Sequence, residues 1–326
     1  MRNWNCYILK LAVGFIPFLM FLTTQAQLSK LVFAPQWLPQ AQFAGFYVAQ
    51  ERGFYKDAGI DVEIIHPSTS IQATSLLVSG KADVISLFLT TALSVRNQGV
   101  DLVNVGQISQ HSAIMIVTKK SGGIENVNQL NGKKVGIWKS GFDELPKALI
   151  SEKKLKVEWI PILSSVNLFM MGGIDAMTVM SYNEYDQIIN SGMNEDELNV
   201  FPLADYGFDV PEDGLYCLRS TYQNKKASLI KFLSATLKGW DFAAANKEYA
   251  LEVIIGRMQL AHVPANKVHQ EWMLNKVLDL ISPGDKNCKP GELLESDFGK
   301  ANRIINIGDS KKTGCIFSDF YPNPIK

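Results

Sequence analysis

The chain has 326 residues and carries 32 basic against 32 acidic side chains, so no surplus positive field draws it to phosphate backbones or anionic membranes, and nucleic acid is not an expected partner. Hydrophobic residues at 47% and charged residues at 20% lie outside the compositions of disordered chains. The length exceeds one small module and suits two globular units with cores of their own.

Residues 1–26 read as an export signal. Arg2 and Lys10 precede the apolar run from Leu11 to Leu22, which is shorter than the roughly 20 residues of a membrane span, and Thr24-Gln25-Ala26 offers small residues for cleavage after Ala26. An uncleaved anchor is the alternative. The exported chain would keep Cys217, Cys288 and Cys315, an odd number in an oxidising compartment. Cys217 lies in an apolar run and reads as a buried small hydrophobe, so Cys288 and Cys315, both in polar tail segments, are the expected pair.

From Leu31 onward short β-branched runs alternate with amphipathic stretches, the pattern of βαβ units and an α/β fold. Strands are predicted at 30–34, 61–65, 83–88, 102–107, 113–118, 134–138, 156–160, 176–180 and 215–219, with helices between them. Gly53, Gly80 and Gly172 follow predicted helices where a C-terminus favours positive φ. Gly80-Lys81-Ala82-Asp83 and Gly172-Gly173-Ile174-Asp175 echo one another as Gly-x-x-Asp corners leading into strands, which suggests two similarly wound lobes. Lys119 to Gly123 is linker-like, and the periodicity becomes helical after Leu218. The expected division is therefore 27–118 with 220–326 as lobe one and 119–219 as lobe two, joined by two hinge crossings.

Motifs for catalysis are missing: there is no phosphate loop, dinucleotide fingerprint, nucleophile elbow or His-Glu-x-x-His. Ser228-x-x-Lys231 sits in an amphipathic helix without companion motifs. His262 and His269, seven apart, read as a solvated helix face rather than metal ligands, so neither metal nor cofactor is expected. Polar and aromatic residues gather instead at predicted strand ends, where open α/β sheets place ligands. These are Trp37, Gln40, Gln42, Phe43 and Tyr47; Phe88, Thr90 and Thr91; Gln107; Trp138, Ser140, Gly141 and Phe142; and Tyr182, Asn183 and Glu184. Phe43 and Tyr47 equally suit a core, Ser140 and Thr90 suit helix caps, and Glu184 suits a helix N-terminus. Two tryptophans at the rim favour a flat guest held between rings.

Trp37-Leu38-Pro39-Gln40-Ala41-Gln42-Phe43-Ala44-Gly45-Phe46-Tyr47-Val48-Ala49, with Leu130-Asn131-Gly132-Lys133-Lys134-Val135-Gly136 and Phe232 to Trp240, resembles the periplasmic solute-binding proteins of the thiamine-pyrimidine, nitrate and sulfonate group. The resemblance implies a type II two-lobed fold, with two parallel or mixed sheets flanked by helices. It implies a monomer in the periplasm that captures a small heteroaromatic ligand, a formylaminopyrimidine or hydroxymethylpyrimidine, for the inner-membrane permease of an ABC importer. By position, Trp37 and Tyr47 would line the ring from one lobe, and Trp138 and Tyr182 would approach from the other. Asn183 and Glu184 would meet ring nitrogens or an exocyclic amine, with Tyr185 or Tyr206 as substitutes. A nitrate, taurine or alkanesulfonate carrier and a ligand-presenting sensory module are the alternatives. Fungal pyrimidine synthases share the fold but carry a cysteine-rich run, a histidine and a cofactor-bearing lysine. Here Gly214 to Leu218 has one Cys, and Ser86 to Thr91 has neither His nor Lys, so an enzyme is not expected.

Overall fold

A computed structural model describes residues 28–68, 71–138, 142–163, 165–282, 284, 286–307 and 315–322; the export signal expected at 1–26, Ser140 and Gly141 lie outside the described residues. Among the described residues, ten strands form two five-stranded sheets. The first contains β1 (Ser29–Ala34), β2 (Ile60–Ile64), β3 (Val84–Phe88), β4 (Leu102–Gln107) and β10 (Asp213–Leu218) in the order β2-β1-β3-β10-β4. The second contains β5 (Ile114–Lys119), β6 (Lys134–Trp138), β7 (Glu158–Ile162), β8 (Ala176–Met180) and β9 (Leu198–Pro202) in the order β7-β6-β8-β5-β9. Helices α1 (Ala44–Glu51), α2 (Phe54–Asp57), α3 (Ala73–Val78) and α4 (Leu89–Asn97) belong to the first half. Helices α5 (Glu144–Glu152), α6 (Asn167–Met170) and α7 (Glu184–Asn190) belong to the second. The chain closes with α8 (Arg219–Ala245), α9 (Lys247–Leu260), α10 (Lys267–Ile281), α11 (Glu295–Ile305) and α12 (Phe317–Phe320). Among the described residues no helix is long and apolar enough to cross a membrane.

The two sheets repeat one winding. In each, three parallel strands are followed by an antiparallel one: β10, which returns after the second sheet is complete, in the first, and β5, which opens the second sheet, in the second. The paired Gly-x-x-Asp corners do the same work in both. Asp83 exchanges its backbone N–H and its carboxylate with Val32 on β1, and Asp175 does so with Lys134 on β6, while Gly80 and Gly172 both take φ 73°. Central strands β3 and β8 are buried along their whole length, as strands covered on both faces must be.

Three expectations need correction. β5 pairs within the second sheet and β10 within the first, so the chain passes between sheets at residues 108–113 and 203–212, not at 118/119 and 219/220. A linker-like composition at Lys119 to Gly123 marks a turn after β5 rather than the passage itself. β9 was not anticipated, because Leu198 to Pro202 is short and ends in proline; it lies at a sheet edge, where a missing N–H is tolerated, as β7 with Pro161 does at the other edge. Cys288 and Cys315 are free thiols, as is Cys217. Cys288 donates to the Gln110 side chain at 3.6 Å beside the interlobe passage, while Cys315 leads into α12, which packs on β4, and has Arg96 and Asp319 for neighbours.

Packing around α1 is unusually close. A Cβ on Gly239 of α8 would stand 2.1 Å from the Gly45 carbonyl oxygen, and one on Gly45 would stand 2.3 Å from the Trp240 ring. The two glycines let α1 and α8 touch backbone to backbone, which seats α1 and the loop before it against the first sheet.

Candidate functional site

At the C-terminal ends of β1, β3 and β6, aromatic rings from both halves converge on Phe142. Its ring centroid lies 6.5 Å from Trp37 and 4.6 Å from Phe88, both of the first half, and 6.3 Å from Trp138 of its own half. The contacts with the two tryptophans are edge-on. Phe142 has φ 64°, a left-handed conformation that a bulky side chain seldom adopts, and this turn carries the ring into the cluster. Beside the rings, Thr91 Oγ1 donates across the crevice to Glu144 Oε2 at 3.2 Å. Enclosure raises the Glu144 carboxyl above its ordinary range, despite the Thr91 bond.

The floor is polar. Gln40 Nε2 donates to Gln42 Oε1 at 2.7 Å, Gln42 Nε2 donates to Asp213 Oδ2 at 2.8 Å, and Gln36 Nε2 donates to Asp213 Oδ1. Next to it Glu212 accepts from Ser112 Oγ at 3.0 Å and from the Ala113 amide, on the other passage between the sheets. Gln42, Tyr182, Glu212, Asp213 and Trp240 border a cavity of about 10 Å3, close to the smallest that admits one water. Burial pushes Glu212 up to about 8, Asp213 to about 7 and Glu184 to about 7, with backbone or side-chain donors opposing it in each case.

Stability should therefore depend on pH. Each of the three carboxyls titrates higher in the folded protein than in the unfolded chain. Their contribution is complete below the ordinary carboxylate range near 4 and is lost as pH rises through about 7 to 8. The melting temperature should fall between mildly acidic and mildly alkaline buffer, and Glu212→Gln, which keeps the acceptor for Ala113, should flatten the upper part of that curve. Differential scanning calorimetry across the window checks this; an equal slope in the variant would refute it.

Several sequence candidates stand away from the crevice surface. Phe43 and Tyr47 are wholly buried, and Tyr47 shares a hydrogen bond of 3.1 Å with His66 Nε2, whose Nδ1 meets the Trp37 carbonyl at 2.8 Å. Thr90 is buried in α4, and Gln107 supports the Glu212 backbone carbonyl at 3.1 Å. Glu184 opens α7 and turns its carboxylate back to the Met180 amide at 3.0 Å, with Asn183 Nδ2 on its other oxygen.

Sequence reasoning missed Asp213, Glu212, Glu144, His66 and His269. Glu212 precedes β10 and Asp213 opens it, whereas candidates were sought after strands. Because β10 runs antiparallel, Asp213 pairs with Phe88, and the beginning of β10 comes to the rim formed by the end of β3. His66 stands just after the predicted strand 61–65 and could have been found by the same rule as the others. His269, expected on a solvated face, instead ties the halves together. Its Nδ1 meets Asp186 Oδ2 at 2.6 Å and its Nε2 meets Asn183 Oδ1 at 3.1 Å, while Trp272 Nε1 donates to the Ser181 carbonyl at 3.0 Å. α10 is itself fixed to the first half where Gln270 Oε1 accepts from the Ala41 amide at 2.7 Å. Among the described residues no group of histidine, cysteine and acidic side chains is arranged to hold a metal.

The NMT1/THI5 like sequence profile matches residues 40–250, a span that includes Phe88, Trp138, Phe142 and Asp213 and begins three residues after Trp37. The chain belongs to the NMT1/THI5-like family. It is 22% identical over 310 residues to the 4-amino-5-hydroxymethyl-2-methylpyrimidine phosphate synthase of Aspergillus parasiticus, covering 90% of this chain and 85% of that one. Against the synthase THI5 of Saccharomyces cerevisiae it is 28% identical over 123 residues, 36% of each protein. It is also 25% identical over 238 residues to the riboflavin-binding protein RibY of Chloroflexus aurantiacus, covering 70% of this chain and 66% of that one. Among solved structures, the periplasmic aliphatic sulphonate binding protein SsuA of Escherichia coli superposes with a TM-score of 0.67 at 15% identity, covering 87% and 95% of the two chains. The fold of this NMT1/THI5-like protein is thus the type II periplasmic-binding-protein fold, as expected from the sequence.

Proposed function

We propose that this protein binds, without transforming it, a small planar heteroaromatic solute bearing an amino group, of the thiamine-precursor pyrimidine class. It would do so outside the cytoplasm and deliver the solute to the permease of an ABC importer. The observation that carries the reading is the meeting of rings from both halves, Trp37 and Phe88 on one side and Trp138 and Phe142 on the other. Such a rim offers faces and edges to a flat ring, and closure of one half on the other would exclude water from it.

The polar groups favour a donor-bearing ring over nitrate or a sulfonate. Glu144, Glu212 and Asp213 border the crevice, and none of the three takes part in an ion pair among the described residues. An anion there would meet carboxyl groups with no cation beside them and would be repelled wherever those groups are ionised. Binding is favoured over synthesis because the end of β3, Ser86 to Thr91, has no amine to hold pyridoxal phosphate, and Thr91 is engaged with Glu144.

A thermal-shift screen of aminopyrimidines, thiamine, riboflavin, taurine, nitrate and alkanesulfonates tests the ligand class. Saturation at about 100 times Kd should add about 2.7 kcal/mol of stability. A response to the anions alone would overturn the reading, as would recovery of a chemically altered pyridoxal phosphate after incubation with that cofactor and iron.

The α10 contacts should hold the closed form. His269→Ala removes the side chain that meets both Asp186 and Asn183, and ligand dissociation should accelerate about tenfold, as expected for losing one or two part-buried side-chain hydrogen bonds. Stopped-flow tryptophan fluorescence checks this, and an unchanged release rate would show that α10 does not restrain the halves.

A further inference from the structure

The amides of Gln40 and Gln42 stand in line above Asp213, and a carboxylate at the end of such a line fixes every member of it. Ionised Asp213 has no hydrogen to give, so Gln36 and Gln42 must both turn Nε2 toward it. With its nitrogen on Asp213, Gln42 presents Oε1 to its other neighbour, and Gln40 must answer with Nε2. The Gln40 oxygen is thereby turned away from Gln42. Gln40 is half-buried and lies three residues after Trp37, on the loop that leads from β1 into the crevice. Asp213 itself is buried beneath, bordering the cavity shared by Gln42 and Tyr182.

We propose that Asp213 is a positioning residue for ligand specificity: acting through Gln42, it holds the Gln40 carboxamide with its oxygen toward the guest, so that a ring carrying an amino donor is chosen over the same ring carrying an oxo group. This rests on the aminopyrimidine reading above and adds the device that discriminates within that class. A site that offers an acceptor rejects the oxo ring because two oxygens are set against each other. Gln36 supplies the second donor to Asp213, so the carboxylate stays in place while Gln42 is read from above.

Calorimetric dissociation constants, measured in mildly alkaline buffer where Asp213 is ionised, test the proposal with 4-amino-5-hydroxymethyl-2-methylpyrimidine and its 4-oxo counterpart. The unmodified protein should prefer the amino ring by at least about tenfold. Asp213→Asn leaves one acceptor and one donor, which permits Gln42 and Gln40 to turn over, and the preference should fall by about tenfold. Adding Gln42→Glu to Asp213→Asn again gives Gln40 an acceptor that cannot reverse, and should restore the preference. A folded Asp213→Asn protein with the original preference overturns the proposal, as does an unmodified protein that binds both rings equally. Should Asp213→Asn not fold, Gln40→Leu decides: its half-exposed side chain can be removed without disturbing the core, and an undiminished preference refutes the role of the Gln40 oxygen. Failure of the unmodified protein to bind either ring refutes the aminopyrimidine reading itself, a result distinct from loss of the specificity mechanism alone.

Discussion

Gly239→Ala should lower stability by at least about 3 kcal/mol, because the new methyl would stand 2.1 Å from the Gly45 carbonyl oxygen, a backbone atom that cannot step aside without moving α1. The expected consequence is a melting temperature lower by about 5–10 °C. Gly256, in the middle of α9, is the matched control. A Cβ there meets nothing within 4 Å, and alanine should stabilise by about 0.5–1 kcal/mol through reduced freedom of the unfolded chain. Calorimetric scans of both variants read the difference directly. Equal melting temperatures would mean that α1 and α8 can separate freely, and that the backbone contact has no part in seating the Trp37 loop.

Trp37→Ala should weaken binding of an aminopyrimidine by more than about tenfold while leaving the melting temperature close to its original value. The ring is only half-buried and meets Phe142 edge-on at 6.5 Å, so little core packing is lost. The Trp37 carbonyl, which meets His66, belongs to the backbone and survives the substitution. Titration calorimetry on the folded variant separates the two effects. Unaltered affinity would make Trp37 a packing residue, and a large drop in melting temperature would show that it anchors the loop instead of the guest.

The α/β order was legible because buried strands announce themselves: Val84 to Phe88 and Ala176 to Met180 are uninterrupted small or apolar runs, and each begins at a Gly-x-x-Asp corner. The corner proved more informative than its four residues suggested, since in both sheets the aspartate satisfies the adjoining strand's N–H as well as turning the chain. Strand direction was not legible. Nothing local in Asp213 to Leu218 says that it runs opposite to its neighbours or returns to the first sheet, and so its leading carboxylates escaped notice. His269 illustrates the same limit on a helix. Spacing placed it on a surface, but only the fold could show that the surface faces Asp186 of the other half. The motif glycines Gly45 and Gly239 likewise stand apart from any guest, serving the contact between α1 and α8.

The two passages between the sheets are laced to one another. The Ile108 and Ser109 amides both donate to the Asp213 carbonyl, and the Glu212 amide donates to Ser109 Oγ. Two independent tethers would behave as a ball joint, letting one half roll and slide over the other. A laced pair behaves as a door pin, leaving one axis of swing. Under the proposed binding role, closure about such a pin would return Trp37 and Trp138 to the same alignment each time, and a solute would be judged on fit rather than on where the jaws happened to land.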